Sequence, residues 1–213
     1  MPPIWDSKME TEFEVKFYPV NKKEYRKKLQ EIGAKLVIPE RKMRRSIANR
    51  RAYSQLKCHY FRVRDEGDKV TMSVKIHAEE GGKVSDQKEA ELVISDFDTA
   101  VEIMEALNLK PNIYQETLRE SWDYEGVEIT IDTWPNLEPY TEIEAKSEEK
   151  VREVAEELGF NWEEKVITAA PEIMEKVYGL SIDEILKLVS HITFENNPFA
   201  DLPRKSGKIK AND

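Results

Sequence analysis

The chain has 213 residues, 35% charged and 39% hydrophobic, with a net charge of −9. That length suffices for one sizeable core without division into two domains, and the acidity argues against a general nucleic-acid binder. No apolar run approaches the twenty residues of a membrane span, and the opening MPPIWDSKME lacks the pattern of a secretory signal.

The first element expected is a strand. In Glu10-Thr11-Glu12-Phe13-Glu14-Val15-Lys16, a period of two puts carboxylates and an ammonium on one face. Met9, Thr11, Phe13, Val15 and Phe17 take the other. A row of like charges on one strand repels unless facing cations or metal ions neutralise it, so this face is a candidate site. Asn21 then caps a helix with Tyr25, Leu29 and Ile32 on one side, stopped by Gly33. Residues 34–54 are apolar and then basic, a strand running into a loop. CHYFRVRDEGDKVTMSVKIH reads as two alternating strands around Glu66-Gly67-Asp68, and a further strand follows a turn at Gly81-Gly82. A helix is expected over Asp96–Leu109, then strands at 114–124, 126–134 and 140–146. Ser147 caps a helix that Gly159 ends, and Ser181 to Glu184 form a capping box for the last helix. Residues 1–200 are read as one domain and 201–213 as a polar, disordered tail.

The charged face recurs. Arg62 and Arg64 alternate with Phe61 and Val63, while Lys75 shares a face with Thr71 and Ser73. Glu89 and Glu91 flank Ala90, Glu142 and Glu144 flank Ile143, and Arg119 and Asp132 lie opposite apolar positions on their strands. Any one pair is explained by solvation. The set, spread over different strands, points instead to a closed antiparallel β-barrel, its lumen lined by charge and its outside covered by helices. In such a lumen arginines and lysines suit phosphate oxygens, and carboxylates suit hard divalent cations.

These residues resemble the CYTH family, also called triphosphate tunnel metalloenzymes, from about Met9 to the final helix. Glu12-Phe13-Glu14-Val15-Lys16 is similar to the family's opening ExExK. Phe61-Arg62-Val63-Arg64 with Lys75 resembles its basic strands, Glu89-Ala90-Glu91 its central acidic pair, and Arg119, Asp132 and Glu142-Ile143-Glu144 its closing elements. The resemblance implies an α+β fold, an eight-stranded antiparallel tunnel with helices outside. It implies that Lys16, Arg62, Arg64, Lys75 and Arg119 bind a triphosphate and carry catalysis. It assigns Glu12, Glu14, Glu89, Glu91, Asp132, Glu142 and Glu144 to Mg²⁺ or Mn²⁺. The chain departs from the family at Thr117, where many relatives carry lysine, and at Arg44–Arg50, where many carry a Gln-x-Asp-x-Tyr stretch.

The activity implied is a metal-dependent phosphohydrolase acting on inorganic triphosphate or an organic triphosphate. Two alternatives stand beside it: a class IV adenylate cyclase making cyclic AMP and pyrophosphate, and a non-catalytic polyphosphate-binding module. The partner expected is a small-molecule triphosphate, with no nucleic acid and no membrane. The lone Cys58 excludes an internal disulfide and fits a cytoplasmic setting. His59, His77 and His191 have no spacing suited to zinc or to acid–base work. Trp134 and Tyr140 are read as packing or as a platform for a ring. The basic run Arg44, Arg45, Arg50 and Arg51 is read as a solvated loop or as a device that steers anions.

Overall fold

In a computed structural model of the chain, residues 9–56, 58–77 and 82–205 are described. Short strands β1 (Glu10–Thr11) and β2 (Phe13–Phe17) precede helix α1 (Lys22–Glu31). The long β3 (Lys35–Asn49), then β4 (Tyr60–Asp65), β5 (Val70–Ile76) and β6 (Lys88–Ile94), lead to α2 (Phe97–Ala106). Next come β7 (Ile113–Tyr124), β8 (Val127–Thr133), β9 (Tyr140–Ala145) and α3 (Glu148–Glu157). Helices α4 (Ala170–Tyr178) and α5 (Ile182–Leu188) and the two-residue β10 (His191–Ile192) finish the order.

Local chemistry sets these boundaries. The Asn21 side chain accepts from the N–H groups of Lys23 and Glu24, satisfying two orphan donors of α1. Asp96 and Ser147 cap α2 and α3, each accepting from one N–H group, that of Thr99 and that of Lys150. β7 turns into β8 through Glu125 and Gly126, both at positive φ (53° and 80°). Two such residues make the tight hairpin whose twist matches its strands, and glycine reaches that conformation without a Cβ penalty.

The strands run antiparallel in the order β1-β6-β5-β4-β3-β7-β8-β9-β2. The two ends of this order are neighbours in sequence. β1 pairs with β6 through Glu10↔Glu89 and Thr11↔Lys88, whereas β2 pairs with β9 from Phe13↔Ala145 to Phe17↔Thr141. Glu12 sits at the break, its N–H donating to the Gln87 carbonyl at 3.0 Å. One extended segment thus clasps both edges and closes the barrel. The path has nine strands where eight were expected, because the opening strand is divided at Glu12. β10 adds a short parallel pairing to the part of β7 that β8 does not reach.

Outward-facing residues of the barrel form the core with the helices. Val15, Ile129, Ile131 and Ile143 are fully buried against Val151, Val154 and Ala155 of α3 and Leu29 of α1. Each such side chain contributes about 1.5–3 kcal/mol relative to exposure. α2 covers Ala48 and Val63 with Phe97, Ala100 and Met104. α4 and α5 pack around Trp134, Leu137, Tyr140 and Phe199.

Two expectations change here. The basic stretch before Asn49 is strand, not loop: β3 pairs with β7 on one edge and β4 on the other, with register shifts around Pro39, which has no N–H to donate. The chain also stays packed beyond Asp201. Leu202 lies against the α4–α5 cluster, and the Lys205 N–H donates to the Val177 carbonyl. The rest of the expected tail, 206–213, and most of the Gly81-Gly82 turn lie outside the described residues. Among the described residues no helix is long and apolar enough to cross a membrane.

Candidate functional site: a charged tunnel

Alternation along each strand sends the charged residues inward, around a cavity of about 810 Å³. Lys16, Arg62, Arg64, Lys75, Arg119, Glu12, Glu14, Glu89, Glu91, Glu142 and Glu144 all line it. Asp132 does not. It is buried beneath Arg119, one oxygen accepting from Arg119 Nε at 2.8 Å and the other from Thr130 Oγ1 at 2.6 Å. It therefore positions the guanidinium, each of its oxygens already accepting one hydrogen bond.

Most of the lumen charge is matched internally. Arg62 Nη2 donates to Glu89 at 2.8 Å and lies 3.5 Å from Glu91. Arg64 Nε donates to Glu66 at 2.8 Å. Lys75 contacts Glu12, and its ammonium is 3.3 Å from Glu14 and 3.6 Å from Glu89. Lys16 bonds Glu14 and lies 3.5 Å from Glu142, and Arg119 also bonds Glu142. Burial alone would push these carboxyls up, but the neighbouring cations win at several of them. Lys16 and Lys75 hold Glu14 well below the usual carboxylate range, and Arg62 with Lys75 does so for Glu89.

One wall behaves differently. Cross-strand register puts Glu128, Glu144 and Glu14 side by side on β8, β9 and β2. Glu144 has no ion pair or hydrogen bond among the described residues. Burial, then the adjacent Glu14, pushes its carboxyl up to about 7, with Glu128 and Glu142 adding to the push. Burial likewise raises Glu12 to about 8 despite Lys75. Of this row only Glu14 has cations in contact, Lys16 and Lys75, and Glu128 and Glu144 form no ion pair among the described residues. As placed, no three acid, histidine or thiol groups among the described residues form a ready cage, since the oxygens point at lysines and arginines. The donor set is all hard oxygen, which suits Mg²⁺ or Mn²⁺ and not a soft metal.

Several lining residues escaped the sequence reading. Arg45 projects inward from β3, its guanidinium over the Trp134 ring at 4.5 Å. Its neighbour Arg44 points outward to Asp65 and the Phe97 ring. Alternation would have separated the two had 41–49 been read as strand. Glu66, expected as a turn residue, is buried as the partner of Arg64 and of Arg41. Glu128, Tyr60 and Gln115 also line the cavity. Trp134 and Tyr140 both pack and line it, the indole N–H donating to the Tyr140 hydroxyl at 3.0 Å. Arg50 and Arg51 sit exposed at the cavity rim, Arg51 paired with Asp183. Thr117 is buried and pairs with Met43 of β3; it shares the inward parity of Gln115 and Arg119 but is not among the residues that line the cavity.

The sequence matches the CYTH domain family over residues 10–178. Solved structures of similar fold include a conserved hypothetical protein of Pyrococcus furiosus, at 21% identity and a TM-score of 0.62, covering 75% of this chain and 97% of that one. A protein of Pyrococcus horikoshii has 23% identity and a TM-score of 0.56 over 76% of this chain and 97% of that one. A candidate adenylate cyclase of Vibrio parahaemolyticus has 13% identity and a TM-score of 0.65 over 78% and 98%. No curated protein matches. At these identities the solved structures bear on the fold alone. The family match spans most of the residues that build the barrel and its charged lumen, and the chain belongs to the CYTH domain family.

Proposed function

We propose that this protein is a divalent-metal-dependent triphosphatase that binds inorganic triphosphate, or the triphosphate of an organic molecule, inside the barrel. CYTH domain proteins are typically enzymes, triphosphatases or cyclases. The observation that carries the reading is the lumen itself, where five basic side chains named from the sequence and a set of carboxylates face one cavity. A polyanion alone would meet the carboxylates, and a metal ion alone would meet the ammoniums. A metal-bound triphosphate supplies both missing partners: phosphate oxygens take over the guanidiniums and ammoniums, and the cation takes over the freed carboxylates.

Lys16, Arg62, Arg64, Lys75 and Arg119 would hold the phosphoryl oxygens, with Asp132 orienting Arg119. Glu12, Glu14, Glu89, Glu91, Glu142 and Glu144 would hold the divalent cation or its waters. That cation would supply charge neutralisation and Lewis acidity. The basic residues would fix the chain in line for attack by water on the terminal phosphorus and stabilise the charge spread over its oxygens. The bridging P–O bond breaks, the remaining phosphate chain is the leaving group, and the attacked phosphoryl becomes orthophosphate. Trp134 favours hydrolysis over a cyclase that grips a base. Its face is covered by Arg45 and its N–H is spent on Tyr140, so it is built into the wall.

The test is product identification by ³¹P NMR after incubation with Mg²⁺ or Mn²⁺ and inorganic triphosphate, thiamine triphosphate or ATP. Orthophosphate supports the proposal. Pyrophosphate with a cyclic nucleotide would make the protein a cyclase, and tight binding without turnover would make it a binding module.

A further inference from the structure

Each cation assigned above to the phosphate chain already has a carboxylate oxygen within 3.5 Å. Glu142 serves Lys16, Glu89 serves Arg62, Glu66 serves Arg64, Glu14 serves Lys75 and Asp132 serves Arg119. Arg45 is different. It lines the same cavity, yet among the described residues no carboxylate forms an ion pair with it.

What Arg45 has instead is a mount. Its Nε donates to Gln115 Oε1 at 2.9 Å, and its plane lies over the Trp134 ring. Gln115 is fixed in turn, its Nε2 donating to the Val189 carbonyl at 2.7 Å. The indole is held by Tyr140. The two Nη nitrogens make no hydrogen bond among the described residues. The groups around Arg45 deepen the deficit. Arg64 is its cross-strand neighbour and Arg62 also acts on it, and among the groups acting on it most strongly only the phenols of Tyr140 and Tyr60 offset them. Burial without a counter-charge pulls its pKa down to about 10.

A guanidinium held on one face and at Nε is limited to its Nη edge, a rigid fork that matches two oxygens on one phosphorus. A neutral ligand would leave the desolvated charge uncompensated. Standing beside Arg64, the fork addresses the same polyanion that Arg64 meets. We propose that Arg45 is a substrate-binding residue of this protein, gripping a phosphoryl group of the polyphosphate chain at the Trp134 side of the tunnel. This rests on the polyphosphate reading of the cavity.

The decisive measurement is calorimetric binding of inorganic tripolyphosphate to the wild type, Arg45→Gln and Arg45→Lys, with thermal unfolding of each protein alone. Arg45→Gln should bind at least tenfold more weakly, a change of about 1.4 kcal/mol. Arg45→Lys should recover part of the loss, keeping the charge without the fork. The melting temperature of ligand-free Arg45→Gln should hold or rise, because an unmatched, partly buried charge is removed. A purely structural arginine gives the opposite pattern, a lower melting temperature with affinity intact, and that result overturns the proposal. If the wild type binds and Arg45→Gln binds equally, Arg45 is misassigned while the tunnel reading stands. If the wild type does not bind tripolyphosphate, both fall together.

Discussion

Two walls of the same tunnel are built on opposite principles. On the β4–β6 side, Arg62, Arg64 and Lys75 face Glu89, Glu91, Glu66 and Glu12 in a lattice of ion pairs. On the β8–β9–β2 side, Glu128, Glu144 and Glu14 stand in a row, and only Glu14 has cations in contact. The first wall keeps its shape with what the chain provides. On the second, Glu128 and Glu144 have no partner ion from the chain among the described residues, and under the proposed metal dependence a divalent cation would serve them. A buried pair survives because each ion offsets the other's desolvation, whereas Glu144, buried beside Glu14 with no ion pair of its own among the described residues, has its carboxyl pushed up. The matched wall should therefore govern folding and phosphate affinity together, and the acidic row should govern metal response.

The largest effect should come from withdrawing the metal. Excess chelator should abolish turnover while the circular dichroism spectrum stays native, because the barrel core is apolar and the matched wall needs no ion. A chain that melts on chelation would mark the metal as structural. Next in size, Arg62→Ala breaks the matched wall. It should lower kcat/KM by about 2–4 kcal/mol of transition-state stabilisation. It should also lower the melting temperature, since Glu89 loses its closest partner and Glu91 one of its two. An active and fully stable variant would put Arg62 outside the site. Glu142→Gln combined with Glu144→Gln should reduce the metal-dependent rate at least tenfold, about 1.4 kcal/mol, and raise the metal concentration needed for half activity. Full activity in that double variant removes the closing pair from the metal assignment.

A smaller effect separates the walls by pH. The Glu144 carboxyl ordinarily titrates at 4.5 and is pushed up to about 7 in the fold. The folded protein then binds this proton more tightly than the unfolded chain does. The stability so gained is fully present below about 4.5 and is lost as pH rises through about 7. Metal-free wild type should thus lose melting temperature across that window relative to Glu144→Gln, and added Mg²⁺ should restore more at pH 8 than at pH 5. Parallel curves for the two proteins would show that Glu144 is not the group under strain. The least effect is expected from Arg50→Gln with Arg51→Gln. Exposed charges at the mouth steer anions only at low salt, so kcat/KM should fall by less than about threefold and recover at 0.15 M.

Much of this was legible because alternation is a geometric fact of a strand. Charges at every second position with apolar residues between them could face only one enclosed space, and the caps at Asn21, Asp96, Ser147 and Ser181 marked helix starts. Parity tells which face a residue takes but not who waits there. Asp132 has the right parity, yet Arg119 and Thr130 claim its oxygens. Arg45 was hidden because a run of arginines resembles a solvated loop, and only pairing with β4 and β7 makes it a strand. α4 was hidden because Ala169 offers no capping side chain and Pro171 alone opens the helix.

The clasp made by residues 10–17 has a consequence for the order of assembly. This segment is made before every other strand of the barrel path, yet its partner β9 is the last strand of that path to be made. Loop closure over most of the domain must precede the pairing, which is the kind of long-range contact that slows folding. Until that moment Glu14 and Lys16 have neither Glu144 nor Glu142 opposite them, and the nascent chain carries its charges in water. The tunnel is closed only when the earliest strand of the barrel path meets the latest one.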